Sequence, residues 1–222
     1  MGKAYIITGI YGSGKTEFCV NLAMQLAAAG GRVTIADMDV INPYFRSRER
    51  EDFLAQYGID VIGSGIANRN IQDLPSLDFS FIPRVRQGEN VIIDLAGGEN
   101  GLKLLARCYD ALKAVDYEFL CVFNSFRPDS SSVEKMVGFA QDVNNFAQIK
   151  LTGLVNNGNL IRETSAKDVL DSQDAVLAAG LRLGLPLRWT MFSKKIYEQI
   201  ADEVKSEQVM VFDEPLMREK WQ

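Results

Sequence analysis

The octapeptide Gly9 to Thr16, Gly-Ile-Tyr-Gly-Ser-Gly-Lys-Thr, stands between an apolar β-branched run, Ala4 to Thr8, and a stretch of good helix formers, Lys15 to Ala29. Few local structures satisfy that order other than a strand, a glycine-bearing bend and a helix. Gly9, Gly12 and Gly14 permit close backbone approaches that a Cβ blocks, so successive N–H groups can converge at a helix N-terminus, where the dipole favours an anion. Lys15 adds a point charge suited to β- and γ-phosphates, and the Thr16 hydroxyl is a hard ligand suited to magnesium. With Tyr11, Ser13 and Glu17, the bend and first turn make up the predicted nucleotide-binding segment. The spacing matches the Walker A pattern in the strand-to-helix context it requires.

Short apolar runs alternate with longer helical patterns along the rest of the chain, which predicts βαβ units and a parallel sheet. Strands are expected at Ala4–Thr8, Arg32–Ala36, Ile59–Ile62, Asn90–Leu95, Glu118–Asn124, Lys150–Asn156 and Leu185–Thr190. Helices are expected at Lys15–Ala29, Tyr44–Tyr57, Gly101–Lys113, Ser131–Phe146, Thr164–Leu183 and Lys194–Glu203. Runs such as Phe119-Leu120-Cys121-Val122-Phe123 are apolar throughout, as strands are when helices cover both faces. The predicted fold is therefore α/β, three layers with a mostly parallel central sheet of about seven strands. At 222 residues and 47% hydrophobic content, one substantial core is the expectation, a single domain over residues 1–222. The stretch Gly63 to Gly88 lacks periodicity and reads as a functional loop or lid.

The net charge of -5, with Lys and Arg dispersed, leaves no footprint for nucleic acid or an anionic membrane. No apolar run reaches the length of a bilayer span and the first residues carry no export signal, so a cytoplasmic protein is expected. Cys19, Cys108 and Cys121 are widely spaced with no histidine in the sequence, which predicts buried thiols rather than a metal centre. Without an imidazole, acid–base work falls to carboxylates or to the substrate.

In open α/β sheets ligands sit beyond the carboxyl ends of strands. Two predicted strands end there in aspartate, Asp37-Met38-Asp39 and Asp94-Leu95-Ala96-Gly97-Gly98. Asp37 and Asp94 are candidate magnesium-side carboxylates and Asp39 the candidate for orienting an attacking water. Asp37 and Asp39 are expected to point to opposite sides, only one of them touching the ligand. Asp94 and the other two also fit ordinary turn or cap positions.

Together with Gly153-Leu154-Val155-Asn156-Asn157 and Leu185-Pro186-Leu187, these segments resemble the MinD/ParA class of P-loop ATPases, which includes the CobQ/CobB-like proteins. The resemblance implies Lys15 on the β/γ-phosphates, Thr16 and Asp94 on magnesium, Asp39 on water, and Asn156 at the base edge. ATP and Mg2+ are the implied ligands. Position 159 holds Asn where a GTPase-like N-K-x-D places Asp, which favours adenine over guanine. The class carries a second lysine after the first loop glycine that reaches a dimer partner's phosphates; here that position is Ile10. Another cation must then neutralise charge at the leaving phosphate, and Arg127 is the candidate. The expected function is a slow Mg-dependent ATPase that acts as a switch for a protein partner or homodimer. A small-molecule kinase or ligase of the CobB kind and a non-hydrolysing nucleotide sensor stay open as alternatives.

Overall fold

The β-branched and aromatic runs pair side by side into one eight-stranded sheet, every pairing parallel. The computed structural model describes residues 2–39, 47–63, 81–160 and 163–217. Its strands are β1 (Ala4–Gly9), β2 (Val33–Met38), β3 (Ile59–Gly63), β4 (Asn90–Leu95), β5 (Tyr117–Phe123), β6 (Gly153–Asn156), β7 (Leu187–Ser193) and β8 (Gln208–Phe212). They lie in the order β3-β2-β4-β1-β5-β6-β7-β8, so β1 and the bend that follows it occupy the middle. The eighth strand exceeds the expected seven; Val209-Met210-Val211-Phe212 is a short apolar run between Gln208 and Asp213, and pairing with β7 makes it a strand.

The helices are α1 (Lys15–Ala28), α2 (Glu51–Ala55), α3 (Phe81–Arg86), α4 (Glu99–Leu105), α5 (Tyr109–Lys113), α6 (Val133–Phe146), α7 (Ala166–Leu183) and α8 (Lys194–Ile200). Because side chains alternate across a strand, neighbours on β1, β4 and β5 enter different cores. Ile6, Ile93 and Phe119 pack with α4, α6 and α7 residues such as Leu105, Met136 and Val176. Ile7, Ile92 and Leu120 pack instead with Phe18, Leu22 and Trp189. Burying Phe18 and Leu22 contributes about 2 kcal/mol each, which seats α1 as a rigid platform. Phe18 and Trp189 also meet edge to face, 6.0 Å between centroids.

The helix expected over Gly101–Lys113 is broken by a tight turn at residues 106–108 between α4 and α5. No Gly or Pro marks the break; Cys108 and Tyr109 turn into the core there, and the Cys108 thiol donates to the Leu105 carbonyl. Of the expected Tyr44–Tyr57 helix, residues 44–46 lie outside the described residues, 47–50 form a tight turn, α2 covers Glu51–Ala55, and Gln56 and Tyr57 are already in the turn that follows. Residues 64–80 of the expected loop lie outside the described residues, and α3 occupies part of the remainder. Among the described residues, no helix is long and apolar enough to cross a membrane. All three thiols are buried and unbridged.

Candidate functional site

The bend after β1 turns on Ile10, whose carbonyl accepts from Ser13 N at 3.1 Å, and α1 starts as Phe18 N bonds the Gly14 carbonyl at 3.0 Å. Two long helices are closed by serine: Ser132 caps α6, and Ser165 with Asp168 forms a capping box on α7. No side chain caps α1, so its first amides remain available to an anion. Gly14 has φ 85°, a left-handed conformation, and a Cβ there would lie 2.1 Å from Asn157 Nδ2. That amide donates to the Ser13 carbonyl at 2.8 Å and ties the loop to the end of β6. Gly14→Ala is expected to destabilise the protein by roughly 2 kcal/mol, combining left-handed strain with loss of that bond; urea denaturation measures it, and an unchanged midpoint would contradict the geometry.

Lys15 is 7% exposed and its ammonium donates to the Ile10 carbonyl at 3.2 Å. Burial pushes its pKa down, while Asp94 and Asp39 hold the charge in place. Asp37 and Asp94 are register partners on β2 and β4, both buried. Burial foremost, then repulsion from Asp37, raises Asp94 to about 7, against the attraction of Lys15 and a hydrogen bond with Thr16. Asp94 Oδ1 is buried without a hydrogen-bond partner. Residues two apart on an extended strand share a face, so, contrary to the expectation, a continuing strand would not send Asp37 and Asp39 to opposite sides. β2 ends at Met38, and just past it Asp39 N donates to Asp37 Oδ1 at 3.1 Å; Asp37 is buried, Asp39 lines the cavity above, and both carboxylates act on Asp94.

A cavity of about 430 Å³ opens over this cluster, lined by Tyr11, Gly12, Gly14, Lys15, Thr16, Glu17 and Asp39 from the loop side. Gly97, just past β4, closes on the loop: a Cβ there would sit 3.4 Å from Lys15 Nζ and 3.3 Å from Tyr11 N. Arg127 also lines the cavity, its Nε donating to the Gly12 carbonyl at 3.0 Å. Ile10 is packed into the core, whereas Tyr11 is 74% exposed. A side chain at position 10 therefore points inward, and the outward place belongs to Tyr11.

Asn156 is not at the cavity. It is fully buried beneath α7, its Oδ1 accepting from Ser172 Oγ at 2.7 Å and Gly158 N at 3.1 Å. Those bonds leave the amide oxygen no role at a base edge, and Asn157 and Asn159 line the cavity instead. Sequence reasoning also missed Phe212, Pro215 and Met217, which form the opposite wall. Nothing local marks them, since they arrive by the pairing of β8.

A divalent cation fits the residues present. The Thr16 hydroxyl, the orphaned Asp94 oxygen and the adjacent Asp37 carboxylate are hard oxygen donors, the set that suits magnesium. Among the described residues, no group of three or more acidic, His or Cys side chains forms a metal cage. A magnesium site shared with phosphates and water requires none.

No curated protein matches this sequence. Among solved structures the chain is similar to the signal recognition particle receptor FtsY from Elizabethkingia anophelis in complex with GDP, at 16% identity and TM-score 0.61, covering 88% of this chain and 58% of that one. FtsY from Thermotoga maritima is similar at 20% identity and TM-score 0.60, covering 88% and 63%. The signal recognition particle 54 kDa protein from Aeropyrum pernix K1 in complex with GDP gives 19% identity and TM-score 0.53, covering 84% and 40%. The chain thus spans less than two thirds of each of these structures, and the likeness establishes a shared fold. Residues 6–180, most of the chain, match the CobQ/CobB/MinD/ParA nucleotide-binding domain, and this protein belongs to that family.

Proposed function

We propose that this protein is an ATP-dependent switch with slow, magnesium-dependent hydrolysis, read by a partner protein. The observation that carries the reading is the convergence of Lys15, Thr16 and the orphaned Asp94 oxygen under an uncapped helix N-terminus. Gly12 to Thr16 hold the phosphates through main-chain amides, and Lys15 supplies the charge at the β and γ positions. Magnesium, when bound through Thr16 and Asp94, neutralises charge on the phosphate oxygens. Asp39, on the cavity wall, orients the attacking water. Gly97, two residues past the end of β4, lies against the loop beside Lys15, and Gly98 begins α4, so the state of the phosphate chain is transmitted to that helix.

The lysine that relatives donate across a dimer has no counterpart at the buried Ile10. Arg127 takes that role within the chain, because its Nε anchor on Gly12 holds the guanidinium at the loop. Arg127→Ala is expected to leave ATP affinity within threefold and to slow single-turnover phosphate release about 100-fold, the scale of a lost transition-state cation. Equal release rates would remove Arg127 from the mechanism, and bound ATP that stays intact in the wild type would make the protein a sensor.

Adenine is preferred because Asn159 offers no carboxylate for the guanine donors. One observation favours a second reading, GTP: Asp213 and Glu214 line a cavity adjoining the first. The Elizabethkingia anophelis FtsY and Aeropyrum pernix 54 kDa structures named above are in complex with GDP. Calorimetric titration with ATP and with GTP separates the two.

A further inference from the structure

The carboxylate of Glu17, in the first turn of α1, binds two consecutive main-chain amides 199 and 200 residues further along. Oε1 accepts from Leu216 N at 2.7 Å and Oε2 from Met217 N at 3.0 Å, while Asn21 Nδ2 donates to Oε1 at 2.8 Å. These bonds draw the segment after β8 back across the start of the helix that carries Lys15 and Thr16. Met217 is buried in the same core as Phe18 and Trp189, so the segment is seated at its far end as well.

An acidic side chain directly after Thr16 opposes any anion bound at the loop, and it needs a compensating role. Engagement of both oxygens by main-chain N–H groups spreads that charge and turns it toward the segment. Phe212 and Pro215 line both the cavity over the phosphate loop and a second one of about 550 Å³, which lies against the turn after β6 and the start of α8. A ligand with its anionic end at Gly12 to Thr16 and its bulk directed toward the ends of β6 and β7 meets this segment whichever cavity receives the bulk.

Resting on the nucleotide reading, we propose that residues 213–217 are the nucleoside-side wall of the site and that Glu17 is the positioning residue that latches this wall to the phosphate loop. Within it Pro215 and Met217, continued by Phe212 at the end of β8, are apolar and grip a base and ribose by contact, while Asp213 and Glu214 face the adjoining cavity. Its contribution is present for a nucleoside triphosphate and absent for a bare phosphate chain.

Wild type, Glu17→Gln and Lys15→Ala are titrated with magnesium ATP and with magnesium tripolyphosphate. In Glu17→Gln one carboxylate oxygen becomes an amide that faces an N–H donor. The variant should lose about tenfold in ATP affinity and less than twofold for tripolyphosphate, whereas Lys15→Ala loses both ligands. In the unaltered protein, amide exchange over residues 213–217 should slow with ATP and stay unchanged with tripolyphosphate, a readout independent of how the variant folds. Equal ATP affinity in wild type and Glu17→Gln, or equal losses for both ligands, overturns the latch. Wild type that binds neither ligand overturns the nucleotide reading itself.

Discussion

Lys15→Ala is expected to lower magnesium-ATP affinity by at least 100-fold while the protein remains folded. The ammonium is the strongest cation at the loop, and each charge-assisted bond it makes to phosphate is worth about 1.5–3 kcal/mol, so two such bonds account for the loss. Little stability should be lost with it. The side chain is desolvated in the ligand-free protein, which burial alone makes unfavourable, and its attraction to Asp94 and Asp39 offsets part of that cost. Burial outweighs that attraction, so removing the side chain takes away more cost than gain. Isothermal calorimetry gives the affinity and a thermal melt gives the stability. ATP bound equally by wild type and variant would remove the foundation of the proposed function.

Asp94→Asn should act in the opposite sense on stability and in the same sense on binding. Burial and the Asp37 charge raise Asp94 to about 7 from the ordinary 3.8. Between those values the folded protein binds the proton that the unfolded chain has released, so stability falls as pH rises from about 4 to about 7 and is level above. Asparagine stays neutral and lacks that slope. The variant should match wild type near pH 4 and be more stable at pH 8, with a gain on the order of 4 kcal/mol if the full shift is relieved. Magnesium-dependent ATP affinity should drop at the same time, because the amide cannot replace a carboxylate on the cation. Urea denaturation at the two pH values tests the first claim, and a variant less stable than wild type at pH 8 would show that the buried carboxylate is not strained. The pair of results describes a common arrangement, a site held less stable than its surroundings because its charges await a ligand.

How much of this was legible beforehand depended on whether a feature was local. Gly9 to Thr16 carries its own instructions: the glycines permit the turn, Lys15 and Thr16 follow at fixed offsets, and the helix formers after them continue α1. The parallel sheet was equally readable, since strands such as Val91-Ile92-Ile93 are apolar on both faces and demand cover on both sides. Asp94 could be placed at a strand end for the same reason. Neighbouring positions were harder. Asn156 and Asn157 are adjacent and chemically identical, and only the direction in which β6 presents them sends one beneath α7 and the other to the Ser13 carbonyl. Cys108 and Tyr109 broke a helix that no residue in it forbids, because burial in the core outweighed continued helical bonding.

Short-range chemistry thus sets the phosphate loop, the order of strands and helices along the chain, and the burial of the thiols, because backbone freedom, hydrogen-bonding capacity and hydrophobic period act over a few residues. Packing sets the rest: the pairing of Asp37 with Asp94, the anchoring of Arg127 on Gly12, the inward turn of Ile10, and the return of Leu216 and Met217 to Glu17. Those contacts join segments far apart in the chain. Their partners are chosen by strand order and side-chain direction, which no local pattern encodes.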